Sequence, residues 1–204
     1  MRAPVELFLA SSNPGKLKEY RALAATAVLP VPIELALLPE FASLPAFEED
    51  APTFAENAAG KALHCSRLQE GLVFADDSGL VVPALGGAPG VHSARYAGAE
   101  ASNSQRIQKL LNELHNKVDR DRAAHFVCSI ALAKSGRALA VVSDRVDGEI
   151  LVSPRGEGGF GYDSVFNFPA LKKTFAELSP EEKNQWSHRG KAFRKLLAAL
   201  SSML

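Results

Sequence analysis

The chain predicts an α/β fold: a mixed, twisted sheet with flanking helices, formed as one domain over residues 1–204. Three observations carry this expectation. In the first half, short apolar runs of strand length alternate with capped, helix-patterned segments. In the second half, "HFVCSIALA" and "ALAVVSDRV" are separated by little more than Ser135-Gly136, the spacing of a hairpin. A sheet that combines both kinds of connection is mixed rather than purely parallel. Finally, 204 residues with 47% hydrophobic content are enough to bury a substantial core.

The elements follow in order. "VELFLAS" reads as a buried strand. Asn13 then caps a helix with Pro14 at its first position, and "KLKEYRALAATA" continues it. "VPIELALL" is the second strand, followed by a proline- and acid-rich loop, "PEFASLPAFEEDAP". Thr53-x-x-Glu56 matches a capping box and starts a helix that runs to about Leu68, with Gly71 closing it. "LVFADD" and "LVVPAL" are expected as two strands on either side of Ser78-Gly79, and "GGAPG" as a turn cluster. Ser102-x-x-Gln105 caps another helix. After the hairpin, Asp147-Gly148 is expected to make a second turn, and "DSVFNF" is strand-like. Ser179-Pro180-Glu181-Glu182 caps a short helix, and Ser187 opens the last one, "HRGKAFRKLLAAL".

Composition narrows the function classes. Lys+Arg and Asp+Glu both number 23, so the net charge is zero. Proteins that grip long nucleic acid by its phosphates carry basic excess, so a small-molecule partner fits better. Cys65 and Cys128 lie in apolar segments outside any CxxC pair and read as reduced core residues. No stretch is long enough to span a bilayer, and the first apolar run is too short for a signal h-region. The expectation is a cytoplasmic protein with neither nucleic-acid nor membrane partner.

Five segments could carry chemistry. "SSNPGK", Ser11 to Lys16, sits at a strand-to-helix junction, where free N–H groups and the Lys16 charge suit phosphate; it is not a Walker A loop. The same residues also fit an ordinary capped helix. On the next helix Glu56 and Lys61 lie five positions apart, about 140° round the axis, so they would flank a site rather than pair.

"FADDSGLVV" places Asp76 and Asp77 where a buried strand should be ending. On a strand they point to opposite faces and cannot do the same job. One can reach a site at the strand's end while the other meets N–H groups or a cation. Carboxylates at that end of an α/β strand suit hard Mg²⁺ with substrate phosphates. "GEGGFG" matches G-x-G-x-x-G but precedes β-forming residues, which excludes a dinucleotide fingerprint. It reads instead as a loop whose backbone approaches a ligand, with Phe160 and Tyr162 as stacking surfaces. "SHRGKA" offers His188 and Arg189 at a helix start, with Lys183 just before. The remaining histidines show no metal spacing.

Together "ASSNPGKLKEY", "TFAENAAGKA", "FADDSGLVVPALGGAPGVHSARYAG", "GEGGFGYDSVF" and "LSPEEKNQWSHRGKA" resemble the inosine triphosphate pyrophosphatase family, in the family's order from residue 10 to residue 192. The resemblance implies two lobes around a nucleotide cleft, a homodimer, and Mg²⁺-dependent hydrolysis of non-standard purine nucleoside triphosphates (ITP, dITP, XTP) to the monophosphate and pyrophosphate. It implies Asp77 as proton acceptor and metal-linked carboxylate, with Glu56 and, more weakly, Glu48 as further metal partners. Ser11, Ser12, Asn13, Pro14, Gly15 and Lys16 would hold phosphates, with Lys61 nearby as a catalytic cation. Ser78, Phe160, Gly161, Tyr162, Asp163, Lys183, His188 and Arg189 would contact substrate, the later ones around the base. This chain has Ser164 where the family usually reads proline. The main rival is a nucleoside triphosphate pyrophosphatase of different base preference.

Overall fold

The computed structural model describes residues 4–27, 30–115 and 122–203. Among them the elements are β1 (Val5–Leu9), α1 (Pro14–Ala25), β2 (Ile33–Leu37), α2 (Phe54–Leu68), β3 (Leu72–Val81), α3 (Asn103–Glu113), β4 (Ala123–Lys134), β5 (Arg137–Ile150), β6 (Phe166–Phe168), β7 (Lys173–Thr174), α4 (Pro180–Trp186) and α5 (His188–Ser201). The strands form one seven-stranded sheet in the order β2-β1-β3-β4-β5-β6-β7. β1 pairs in parallel with β2 and β3, whereas β5–β6 and β6–β7 are antiparallel, so the sheet is mixed as expected. The β4–β5 turn is Ser135-Gly136, both at positive φ (50° and 71°), the backbone that a two-residue hairpin demands.

The chain divides into two compact units: Met1–Asp77 with Cys128–Asp144 and Arg189–Leu204, and Ser78–Val127 with Arg145–His188. In the first unit the strand alternation sorts side chains onto two faces. Leu7, Leu9, Phe74, Cys128, Ile130 and Leu132 form one cluster with Tyr20 of α1 and Phe193 and Leu196 of α5. Val73, Ala75, Ala131 and Ala133 point the other way, against Ala58, Ala62 and Cys65 of α2. Both cysteines are free and buried. Burial is the largest cause pushing the Cys128 thiol up to about 12, so it stays a neutral core residue. The second unit has its own core, in which Leu80, Val82, Phe126, Phe166 and Phe175 cluster with Leu110 of α3.

Two expected turns are absent. β3 runs unbroken through Ser78-Gly79, because Leu80 and Val82 beyond it are fully buried in the second unit's core. The adjacent aspartates are therefore mid-strand, not at a strand end. β5 likewise continues through Asp147-Gly148. Gly148 there answers to packing: a Cβ would collide with the Asn167 carbonyl and the Phe166 ring of β6.

Candidate functional site

Strand parity separates the two aspartates. Asp76 shares the face of Phe74, covered by α1 and α5, and Asp77 shares the face of Ala75, covered by α2. Both are buried, at 1% and 8% exposure.

On the first face, Lys16 Nζ donates to Asp76 Oδ1 at 2.9 Å, and Arg189 Nε stands 3.6 Å from Asp76 Oδ2. Arg189 Nη1 also donates to Glu19. Burial alone would raise the Asp76 pKa. The Lys16 ammonium and then the Arg189 guanidinium outweigh it and hold the carboxyl well below the usual carboxylate range. Asp76 is thus a fixed anion locked between two cations.

On the other face, Asn57 Nδ2 donates to Asp77 Oδ2 at 3.0 Å. Burial is the largest influence on Asp77 and raises its pKa. The Asn57 bond opposes this, the Glu49 and Asp76 charges add to it, and the result is about 6. Two neighbouring carboxylates have been driven apart by their surroundings: one permanently ionised, the other poised near neutrality to exchange a proton. The two aspartates meet different partners, as their opposite faces require.

Around this pair the phosphate-type segment takes shape. Asn13 Oδ1 accepts from the N–H groups of Gly15 at 2.8 Å and Lys16 at 3.4 Å, which caps α1 as the sequence implied. Ser11 is buried and its Oγ accepts from the Asn13 N–H, while Ser12, Asn13, Pro14 and Gly15 are exposed. Lys61 Nζ donates to Glu49 Oε1 at 2.6 Å. Burial disfavours the Lys61 charge, but Glu49 more than compensates and raises its pKa, keeping it cationic.

Of the carboxylates expected beside Asp77, Glu56 accepts from the hydroxyl of its own cap residue Thr53 at 2.7 Å and is exposed, as is Glu48. Among the described residues no group of three or more His, Cys, Asp and Glu is gathered for a metal ion. In the acidic loop, the carboxylate whose charge raises the Asp77 pKa is Glu49. Sequence reasoning passed over it because a loop has no period that would single it out from its neighbour Glu48. Asn57 was legible as sharing a helix face with Lys61, and Glu19 lies one turn beyond Lys16.

The second unit holds the glycine-rich segment. Asp163 Oδ2 accepts from the Phe160 N–H at 2.8 Å and from Lys183 Nζ at 2.6 Å. Lys183 Nζ also lies 4.7 Å from the Phe160 ring centroid, and that ring is 47% exposed. Gly156, Gly158 and Gly159 serve packing within the protein. A Cβ on Gly159 would collide with the Asp163 carboxylate, and one on Gly156 or Gly158 would crowd Ala176. Gly161 sits at φ 62°. Tyr162 is not a stacking surface: it is 4% exposed and its hydroxyl donates to the Ser93 carbonyl at 2.9 Å. The Ser164 carbonyl accepts from the Arg155 N–H at 2.8 Å. His188 stacks on Phe126, with centroids 4.7 Å apart. Ser78 is half-buried on β3, next along the strand from Asp77. Arg189 falls in the first unit, on the acid cluster, and His188 in the second.

An α/β protein with a capped helix at a β1–α1 junction beside a split carboxylate pair belongs to the class that handles phosphorylated ligands. The Ham1 family model matches residues 7–199, and the chain belongs to that family. The protein named dITP/XTP pyrophosphatase in Geobacillus kaustophilus is 51% identical over 191 residues, covering 94% of this chain and 92% of that one. Its namesake in Gloeobacter violaceus is 49% identical, covering 96% and 94%. The solved structure of a HAM1 protein from Coxiella burnetii matches with a TM-score of 0.85 at 42% identity, covering 97% of this chain and 99% of that one. The Staphylococcus aureus Ham1 protein gives the same TM-score at 40% identity, covering 98% and 100%.

Proposed function

We propose that this protein is an Mg²⁺-dependent pyrophosphatase of non-standard purine nucleoside triphosphates, taking ITP, dITP and XTP to the monophosphate and pyrophosphate and so cleansing the nucleotide pool. The observation that carries the reading is the divided carboxylate pair, Asp76 clamped by Lys16 and Arg189 while Asp77 is pushed up to about 6. Identity of 51% and 43% to two proteins named dITP/XTP pyrophosphatase, covering 92% and 97% of their lengths, supports the substrate class.

The donor set suits Mg²⁺. Glu49 and Asp77 offer oxygen donors, and the Glu49 charge raises the Asp77 pKa even with Lys61 paired to Glu49, the relation that a hard divalent ion would relieve. When bound there, Mg²⁺ would polarise phosphoryl oxygens and lower the pKa of a coordinated water. Glu56 and Glu48 would join only if their carboxylates left solvent and, for Glu56, its Thr53 contact.

In this reading, Asp77 orients a water and accepts its proton for attack on the α-phosphorus. The Asn57 amide fixes which Asp77 oxygen is tied, leaving Oδ1 to face the water. Asn13 already occupies the Gly15 and Lys16 N–H groups, so the exposed Ser12–Gly15 segment would favour phosphate through the positive end of the α1 dipole, and the Lys16 and Lys61 ammoniums absorb developing charge. Pyrophosphate leaves with the electron pair of the broken P–O bond. Toward the base, Phe160 offers a stacking face, and Lys183 and His188 offer donors to a 6-keto oxygen where adenine carries an amino group. Arg189, also placed near the base by resemblance, acts first through its ion pair with Asp76. We read the enzyme as a cytoplasmic homodimer; among the described residues no helix is long and apolar enough to cross a membrane.

Pyrophosphate release from ITP, XTP, GTP and ATP, each with and without Mg²⁺, tests the proposal. Selective, Mg²⁺-dependent turnover of ITP and XTP is the expected result. Full activity after exhaustive EDTA treatment, or equal turnover of ATP, would overturn it.

A further inference from the structure

We infer that one face of α2, formed by Asn57, Gly60, Lys61 and His64, is a positioning template for the acidic loop Pro45–Ala51, and that it sets where the Glu49 carboxylate stands relative to Asp77. The four positions are spaced i, i+3, i+4 and i+7, a single helical stripe. Each grips a different point of the loop. His64 Nε2 lies 2.8 Å from the Pro45 carbonyl. The Phe47 ring rests on Gly60, so closely that a Cβ there would collide with it, and it packs against the His64 ring with centroids 5.9 Å apart. Lys61 Nζ donates to Glu49 at 2.6 Å. Asn57 Oδ1 accepts from the Ala51 N–H at 2.9 Å.

Successive loop residues therefore meet successive turns of the helix, running antiparallel to it. Asn57 links the two halves of the device, since the amide that accepts from Ala51 also donates to Asp77 at 3.0 Å. It is completely buried. A loop of this composition has no intrinsic reason to hold one conformation. Its register on α2 comes from these contacts, and the one that Glu49 makes with Lys61 lies between those at Phe47 and Ala51. Gly60 is the residue whose identity matters without any polar group, because its missing side chain is what admits Phe47.

The inference rests on the proposed role of Glu49 and Asp77 toward a divalent cation, and its test keeps the two apart. Mn²⁺ alone, without nucleotide, is titrated calorimetrically into the parent protein, Gly60→Ala and Gly60→Ala/Phe47→Leu. Hydrogen exchange of the Pro45–Ala51 segment is followed in each. Alanine favours a helix more than glycine does, so Gly60→Ala keeps its fold and thermal transition. We expect its Mn²⁺ dissociation constant to rise about 10- to 100-fold, the range for residues that orient metal ligands. Loop amides should exchange faster. More Mg²⁺ should be needed for half-maximal ITP turnover, while kcat at saturating Mg²⁺ approaches the parent value. A general loss of folding would lower kcat at every Mg²⁺ concentration instead.

Phe47→Leu should restore much of the affinity by making room for the Cβ. Parent-like Mn²⁺ binding and loop protection in Gly60→Ala would overturn the inference, as would a defect that Phe47→Leu leaves untouched. If the parent itself bound no Mn²⁺, the metal reading would fall and this inference with it.

Discussion

Lys16 and Asp76 lie 60 positions apart in the chain, yet the lysine Nζ donates to the aspartate Oδ1 at 2.9 Å, and the Asp76 side chain is wholly buried. With Arg189 on its other oxygen, Asp76 ties the start of α1, the middle of β3 and the start of α5 together. The lysine that we read as a phosphate contact is thereby held at the α1 N-terminus by a buried carboxylate, which partly balances its charge.

That arrangement makes a prediction about stability. Removing one partner of a buried ion pair costs about 3–5 kcal/mol, because the other charge is left without compensation. Asp76→Asn and Arg189→Met should each destabilise strongly, and the double variant should lose much less than the sum. Since the folded Asp76 pKa lies below its unfolded value, its contribution is fully present above about pH 4 and is lost as pH falls further. Urea denaturation at pH 7 and pH 3 checks both points. Simple additivity at pH 7 would contradict the coupling.

Asp77 should behave in the opposite sense. Its folded pKa, about 6, lies above the ordinary aspartate value, so its contribution is fully present below about pH 4 and disappears as pH rises through 6. At pH 8 without divalent cation, the native protein carries a desolvated charge facing Glu49. Asp77→Asn should then raise stability by on the order of 1–3 kcal/mol at pH 8 and leave it nearly unchanged at pH 4. Turnover of ITP should fall roughly 100-fold or more. Thermal melts at the two pH values with a turnover assay report both effects. Near-parental hydrolysis in the folded variant would remove Asp77 from the mechanism.

The glycine-rich loop should respond through Asp163. Its carboxylate binds the Phe160 N–H and Lys183 together, and Gly159, at φ 73°, lies directly against it. Gly159→Ala meets both a strained backbone and a collision. We expect KM for ITP to rise about tenfold or more, with kcat changing less, because Phe160 loses its placement while the carboxylate machinery stays intact. Steady-state kinetics with a fluorescence-monitored melt would show it. A fall in kcat at constant KM would place the loop's role in the chemical step instead.

How far the sequence reaches is visible in these residues. Caps were legible because they are local: Asn13, Thr53, Ser102 and Ser179 all bond the backbone two or three residues on. The opposite orientation of Asp76 and Asp77 was legible because strand parity is strict. The partners were not. Nothing in the order of residues reveals that Arg189 sits on Asp76, that Glu49 and not Glu48 faces Lys61, or that Tyr162 turns inward to Ser93. Those depend on long-range packing. The same force erased the turns expected at Ser78-Gly79 and Asp147-Gly148, where burial of the flanking apolar residues outweighs a local preference for bending.

Base selection gives the last prediction. Phosphates are common to every nucleoside triphosphate, so Lys16→Ala and Lys61→Ala should lower kcat/KM for ITP and ATP by one shared factor. Phe160→Ala should do the same, because every base presents a π face to an aromatic ring. Lys183 and His188 differ. Lys183 is anchored by Asp163 over the exposed Phe160 ring, and His188 lies flat on Phe126 in the same unit. A donor to the 6-keto oxygen strengthens ITP binding and leaves ATP without a match. Losing it should therefore shrink the ITP/ATP ratio of kcat/KM by about 10- to 100-fold, equivalent to about 1.5–3 kcal/mol for a charge-assisted bond. Lys183→Ala is the cleaner probe, since His188→Ala also opens a gap among the aromatic rings; His188→Asn keeps a donor and less of the stacking. If Lys183→Ala lowers both substrates equally, its ammonium serves only to neutralise Asp163, and discrimination must come from backbone groups.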